Sequence, residues 1–63
     1  MVINFQDLNL PAKASSIIHD LNDEIMNKEE ALRLLANILA YRTQRGYESS
    51  ELIEAMRRVW DMK

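Results

Sequence analysis

Residues 27–46, NKEEALRLLANILAYRTQRG, constrain the fold of this chain more than any other stretch. The segment opens with Asn27, a residue type that caps helix N-termini, and Glu30 lies three positions later, where it can reach back to the cap. It closes with Gly46, and glycine is favoured just beyond a helix C-terminus. The apolar positions between them cover well over half of the helical circumference: Leu32, Leu34, Leu35, Ile38, Leu39 and Tyr41. The pattern predicts a helix over 28–45 with neighbours on more than one side.

Two further helical patterns flank this segment. Pro11 suits the first position of a helix, and the apolar residues after it recur at helical spacing. Those residues are Ala14, Ile17, Ile18, Leu21 and Ile25. This pattern predicts a helix over 11–25. After the sequence GYESS, in which Ser49 or Ser50 can cap a helix, a second apolar stripe predicts a helix over 50–61. Its members are Leu52, Ile53, Met56, Val59 and Trp60. The expected fold is all-α, a three-helix bundle with helix 2 central.

A chain of 63 residues makes one domain at most, and we expect a single helical domain over residues 1–63. A chain this short buries only about 60% of its unfolded surface, so its core is marginal alone. There is no cysteine, so disulfides and thiolate metal sites are excluded. Since small cores usually need further support, we expect a homodimer or higher oligomer. The candidate self-association residues are Leu34, Ile38, Tyr41, Ile3 and Phe5. The wide apolar surface of helix 2 is covered either by helices 1 and 3 of the same chain or by a second chain.

Charge and hydropathy narrow the class of partner. No run of 18 apolar residues is present, and the N-terminus lacks the basic start of a signal peptide. We therefore expect a cytoplasmic protein with no membrane partner. The net charge of −2 gives no general attraction to nucleic acid. The charge is uneven, because residues 1–32 carry six acidic and two basic side chains, and residues 33–63 carry four acidic and six basic ones.

The N-terminal stretch VINFQDLNL, residues 2–10, is too apolar for a free tail. Ile3 and Phe5 alternate, and so do Leu8 and Leu10, but the two pairs are out of register by one residue. A strand with one buried face requires a single register. We expect a short, ordered, irregular arm over residues 1–10 that packs onto the helices. A strand that pairs with a second chain is the alternative.

The order of a short strand, a proline, a helix, a turn and a second helix resembles the ribbon-helix-helix DNA-binding family. The corresponding segments here are FQDLNLP, AKASSIIHDLNDEI and NKEEALRLLANILAYRTQ. The resemblance implies a dimer whose paired strands, residues 5–9, read the major groove. Asp7 and Asn9 would face the bases, with Phe5 or Gln6 at the third position. This chain departs from the family's pattern, since its ribbon contains no Lys or Arg and its inter-helix turn contains no glycine. A DNA-binding regulator is the alternative hypothesis for function.

Catalytic and metal chemistry find little support in the sequence. His19 is the only histidine, and Asp23 lies four residues later on the same helical face. Two ligands do not complete a zinc site, which needs three or four. A single glycine cannot form a phosphate-binding loop. We expect no cofactor and no enzymatic activity.

Trp, Arg and Met are the residue types enriched at protein-binding surfaces, and this chain places them near helix ends. The candidate partner-binding residues are Met56, Arg57, Trp60, Arg42 and Arg45. For each group a structural explanation stays open instead of partner binding. The arginines would complement helix dipoles, and Trp60 would close the core. The function expected is that of a non-enzymatic helical interaction module, a small regulator or inhibitor that binds another protein. A structural or assembly subunit is a further alternative.

Overall fold

The computed structural model describes residues 8–62. Three helices account for most of them: α1 (Ala12–Asn22), α2 (Lys28–Gln44) and α3 (Ser50–Asp61). No strand occurs within residues 8–62, which confirms the all-helical prediction with three helices. Most of the predicted N-terminal arm, including Ile3 and Phe5, lies outside the described residues.

Both ends of α2 form as the sequence predicts. Asn27 Oδ1 accepts a hydrogen bond of 2.8 Å from the Glu30 amide, which satisfies one of the free N–H groups of the first turn. Gly46 follows the helix with φ +78°, a left-handed conformation that suits glycine. The Tyr47 amide then donates to the Arg42 carbonyl at 2.9 Å, and the Gly46 amide donates to the Thr43 carbonyl at 3.1 Å. These two bonds form a Schellman motif that closes α2.

The predicted C-terminal end of helix 1 is wrong, because α1 ends at Asn22 rather than at residue 25. Glu24 adopts φ +63°, and the Ile25 amide donates to the Asp20 carbonyl at 2.9 Å. The chain thus leaves the helix by the same kind of motif that ends α2. Ile25, which continued the apolar stripe in sequence, is 71% exposed. The spacing of apolar residues alone does not show that the chain has already turned toward α2 at this position.

The N-terminus of α3 is capped by a residue that the sequence pattern did not single out. Neither Ser49 nor Ser50 caps the helix through its hydroxyl. Instead, Glu48 Oε1 accepts hydrogen bonds from the Ser50 amide at 2.9 Å and the Ser49 amide at 3.0 Å. Both hydrogen bonds stabilise the charged carboxylate of Glu48, and the bond from Ser50 does so most. They lower the pKa of Glu48 below its ordinary value of 4.5. The carboxylate therefore holds the start of α3 in place of a serine.

The core lies where α2 packs against both α1 and α3. Its buried residues are Ala14, Ile18, Leu21, Ala31, Leu35, Leu52, Ala55 and Val59. Each helix contributes one fully buried alanine, which lets the helix backbones approach closely. No polar side chain of the described residues is buried. Because the core is so small, several other large apolar side chains stay half-exposed on either side of α2.

None of the three helices in residues 8–62 combines the length and the apolar character needed to cross a membrane.

Candidate protein-binding surface

The helix α3 carries two apolar stripes side by side. The first, Leu52, Ala55 and Val59, is buried against the core. The second is offset by one residue and consists of Ile53, Met56 and Trp60, spaced i, i+3 and i+7. A helix that packed only on its own core would need one stripe. In the second stripe Met56 packs against the edge of the core, whereas Ile53 and Trp60 are exposed.

An open groove of about 370 Å³ lies between this second stripe and α2. We call it the α2–α3 groove, and its lining residues are Leu32, Leu39, Ile53, Met56, Arg57, Trp60 and Asp61. Trp60 is 68% exposed and Ile53 is 48% exposed. Trp60 therefore lies on the surface of the single chain, and the alternative in which it closes the core is wrong.

Lys28 holds Trp60 at one end of the groove. Its Nζ lies 5.4 Å from the centre of the Trp60 ring, within the range of a cation–π interaction. The same Nζ donates a hydrogen bond of 2.8 Å to the Met62 carbonyl. Lys28 thus ties the start of α2 to the end of α3 and contacts the indole of Trp60.

The charged residues of α3 are divided between internal contacts and the groove. Arg58 Nε lies 3.7 Å from Glu54 Oε1, one turn earlier on the helix. Arg57 is exposed and lines the groove. Within residues 8–62, no ion pair involves Arg57. Its guanidinium is therefore available to an acidic group from outside.

Arg42 and Arg45 lie elsewhere, around the connection between α2 and α3. The Arg42 guanidinium lies 5.3 Å from the centre of the Tyr47 ring, and its Nη2 donates to the Glu48 carbonyl at 3.0 Å. The Arg45 guanidinium lies 4.9 Å from the centre of the Tyr41 ring. Both arginines thus stabilise their own turn. The structure brings three of the five candidate partner-binding residues together, Met56, Arg57 and Trp60, and leaves these two outside the groove.

The candidate self-association residues of α2 lie on its other side, next to α1. Leu34 and Ile38 are half-buried and line a groove of about 330 Å³ with Ile17. Tyr41 is 55% exposed and lines a neighbouring groove of about 530 Å³ with Ile38. The helix α2 therefore has an apolar face on each side of the core.

The remaining sequence candidates form no further site. His19 Nε2 lies 3.1 Å from Asp23 Oδ2, and both side chains are largely exposed. No cluster of three or more potential metal ligands occurs within residues 8–62. Three of the residues that the ribbon-helix-helix resemblance assigns to DNA reading, Phe5, Gln6 and Asp7, lie outside the described residues. The fourth, Asn9, is exposed and lies outside any helix or strand.

Sequence reasoning missed three residues of this surface. Leu32 and Leu39 form the α2 wall, and Lys28 contacts the indole. The sequence carries no signal that singles out these three residues of α2, but it does carry one for the extra apolar surface of α3, the apolar doublets at residues 52–53 and 59–60. When two adjacent apolar residues recur seven positions later in a helix, they predict an apolar arc wider than a single helix contact covers.

Comparison with protein-family models, with curated proteins and with solved structures gives no significant match to this chain.

Proposed function

We propose that this chain is a non-enzymatic protein–protein interaction module, a small regulator or inhibitor that acts by binding another protein through the α2–α3 groove. The observation that supports this function best is the exposed indole of Trp60, which Lys28 contacts at one end of a groove with a mostly apolar lining. A large apolar side chain that is exposed and preorganised on a helical surface is the usual anchor of a protein interface.

The composition of the groove favours a protein over a small ligand. Small-molecule sites are concave and bury most of the ligand surface, with a few converging polar groups. The α2–α3 groove is open along its length, and its lining combines leucine, isoleucine, methionine, arginine, tryptophan and one aspartate. Tryptophan and arginine dominate the binding energy of protein interfaces, and methionine adapts its shape to a partner.

Self-association is proposed for the opposite face of α2. The side chains of Leu34, Ile38 and Tyr41 lie on the α1 side and leave the α2–α3 groove uncovered. A homodimer formed there would add to the small core and would display the two grooves for partners. The two surfaces are therefore proposed to act independently.

The function is tested by affinity capture from a lysate of the source cells, with the tagged wild-type chain, Trp60→Ala and Ile25→Ala as baits. Ile25 is a matched control because it is as exposed as Trp60 and lies in the α1–α2 turn, outside the groove. We expect wild type and Ile25→Ala to recover the same protein, and Trp60→Ala to lose it while keeping its helix content. Each capture is repeated with nuclease.

Three outcomes would contradict the proposal. Recovery that disappears with nuclease would favour the DNA-binding alternative. Recovery of the bait's own chain alone would favour an assembly subunit. Equal recovery by Trp60→Ala and wild type would place the binding surface outside the groove.

A further inference from the structure

We propose that the α2–α3 groove receives an amphipathic helix from the partner protein, and that this helix places an acidic residue against Arg57. The inference rests on the proposed function and deepens it by naming the chemistry of the partner. Three observations carry it: the shape of the groove, its apolar lining and the charge at its rim.

The shape of the groove selects a helix. Two adjacent helices, α2 and α3, form its walls, and no strand occurs in residues 8–62. A peptide that binds by strand addition needs a free strand edge, and the described part of the chain offers none. Ala36, one turn after Leu32 on α2, is exposed, and its small side chain leaves room for a third helix to approach that side of α2.

The apolar lining defines the face of the incoming helix. Leu32 and Leu39 are two turns apart on α2, and Ile53 and Trp60 are two turns apart on α3. Both walls therefore repeat with the heptad spacing that a facing helix needs. The complementary ligand carries bulky apolar residues at i, i+3 or i+4 and i+7, the pattern of helix-in-groove recognition.

The rim charge defines the residue beside that apolar stripe. Arg57 lines the groove with no ion pair in the described residues, and the Lys28 ammonium lies over the Trp60 ring. Asp61, one turn after Arg57, is the one acidic residue of the lining. Arg57 is thus the one residue of the lining whose charge attracts a carboxylate, in a chain whose net charge is −2. An arginine presents a planar donor fork that a carboxylate can accept in bidentate fashion.

The test is a selection from a displayed library of helical peptides of about 18 residues, long enough to hold a helix in water, with the positions of one face randomised. The baits are the wild-type chain, Arg57→Glu, Arg33→Glu and Trp60→Ala. Arg33 is the matched control because it is an exposed arginine of α2 that does not line the groove. The best peptide is then titrated against each bait that keeps Trp60, with fluorescence of this single tryptophan as the readout, and Trp60→Ala is compared by its enrichment of peptides alone.

We expect wild type and Arg33→Glu to enrich peptides with apolar residues at helical spacing and an acidic residue beside them. Binding should shift Trp60 emission to shorter wavelength, as the indole leaves water. Arg57→Glu should weaken the selected acidic peptide about tenfold, since it removes an attraction and adds a repulsion, and it should enrich basic residues instead. The reversal of charge preference is the decisive result, because a merely structural role of Arg57 would not produce it.

Apolar helices enriched equally by wild type and Arg57→Glu would overturn the acidic requirement and leave the proposed function intact. If no peptide prefers wild type over Trp60→Ala while lysate capture still recovers a partner, the helical ligand is overturned and the interaction function stands. A blue shift of Trp60 that grows with protein concentration, with no peptide present, would assign the groove to a second copy of this chain and overturn the inference.

Discussion

Replacing Trp60 by alanine tests whether the indole is a surface group or part of the core. A tryptophan side chain carries about 150–250 Å² of surface. With 68% of the residue exposed, roughly 50–80 Å² is covered within the chain. At about 25 cal/mol per Å² this burial contributes about 1–2 kcal/mol. The exposed contact with Lys28 adds about 0.5 kcal/mol. Trp60→Ala should therefore lower the free energy of unfolding by about 2 kcal/mol.

A fully buried leucine gives the comparison. Leu35 is 0% exposed at the centre of the core, and leucine-to-alanine changes at such sites lower the free energy of unfolding by about 2–5 kcal/mol. A chain of this size has about 3–9 kcal/mol in total. Trp60→Ala should stay folded near neutral pH at room temperature, and Leu35→Ala should be the less stable of the two variants.

The assay is urea unfolding followed by far-ultraviolet circular dichroism, at two protein concentrations that differ at least tenfold. The reasoning is refuted if Trp60→Ala loses as much as Leu35→Ala. It is also refuted if the difference between Trp60→Ala and wild type grows with protein concentration, because Trp60 would then be buried between two copies of the chain.

Three predictions concern the helix ends. Gly46→Ala forces alanine to φ +78° with no atom within 4 Å of the added Cβ, so only backbone strain should act, and thermal unfolding should show a loss of about 1 kcal/mol. An unchanged melting temperature would contradict the left-handed conformation of Gly46. Glu24→Gly removes a non-glycine residue from φ +63° and should gain about 0.5 kcal/mol by the same measurement; a loss would contradict it. Glu48→Gln tests the carboxylate cap: the pKa of Glu48 is lowered in the folded state, so its contribution is present above pH 4.5 and is lost as pH falls through the lower folded pKa. Wild type should be more stable than Glu48→Gln near neutral pH, and urea titrations at decreasing pH should bring the two together; a constant difference would refute the cap.

The sequence predicted most of α2 because its signals are local. Asn27 supplies the cap bond from its own side chain, and Gly46 supplies a conformation that few other residues adopt. Each signal acts within one turn of the helix it ends. The predicted helix over 28–45 therefore differs from the observed α2 by a single residue.

The errors arose where two local signals competed. At the end of α1, the apolar spacing of Ile25 pointed to a longer helix, but the chain turns at Glu24, which carries no residue-type signal for φ above zero. At the start of α3, serines are strong cap residues by type, but the longer Glu48 side chain reaches the same amides. Spacing and residue type cannot rank such alternatives without the backbone geometry.

The groove could be predicted only in part. The residue types of Met56, Arg57 and Trp60 marked α3 as a binding helix, and these three do line the groove. The sequence does not reveal which side of α2 lies beside α3, since that depends on how the helices pack. Leu32 and Leu39 were therefore assigned to the general apolar surface of α2, with no role in a site.

The central claim is that the α2–α3 groove contacts another protein, and site-specific photo-crosslinking in the source cells tests it most directly. A photo-reactive amino acid is placed in the full chain at Ile53, which lines the groove, or at Ile25, which is exposed outside it. The account predicts that position 53 crosslinks to a different polypeptide and that position 25 does not. Crosslinks from position 53 to a second copy of this chain alone, or the same products from both positions, would contradict it.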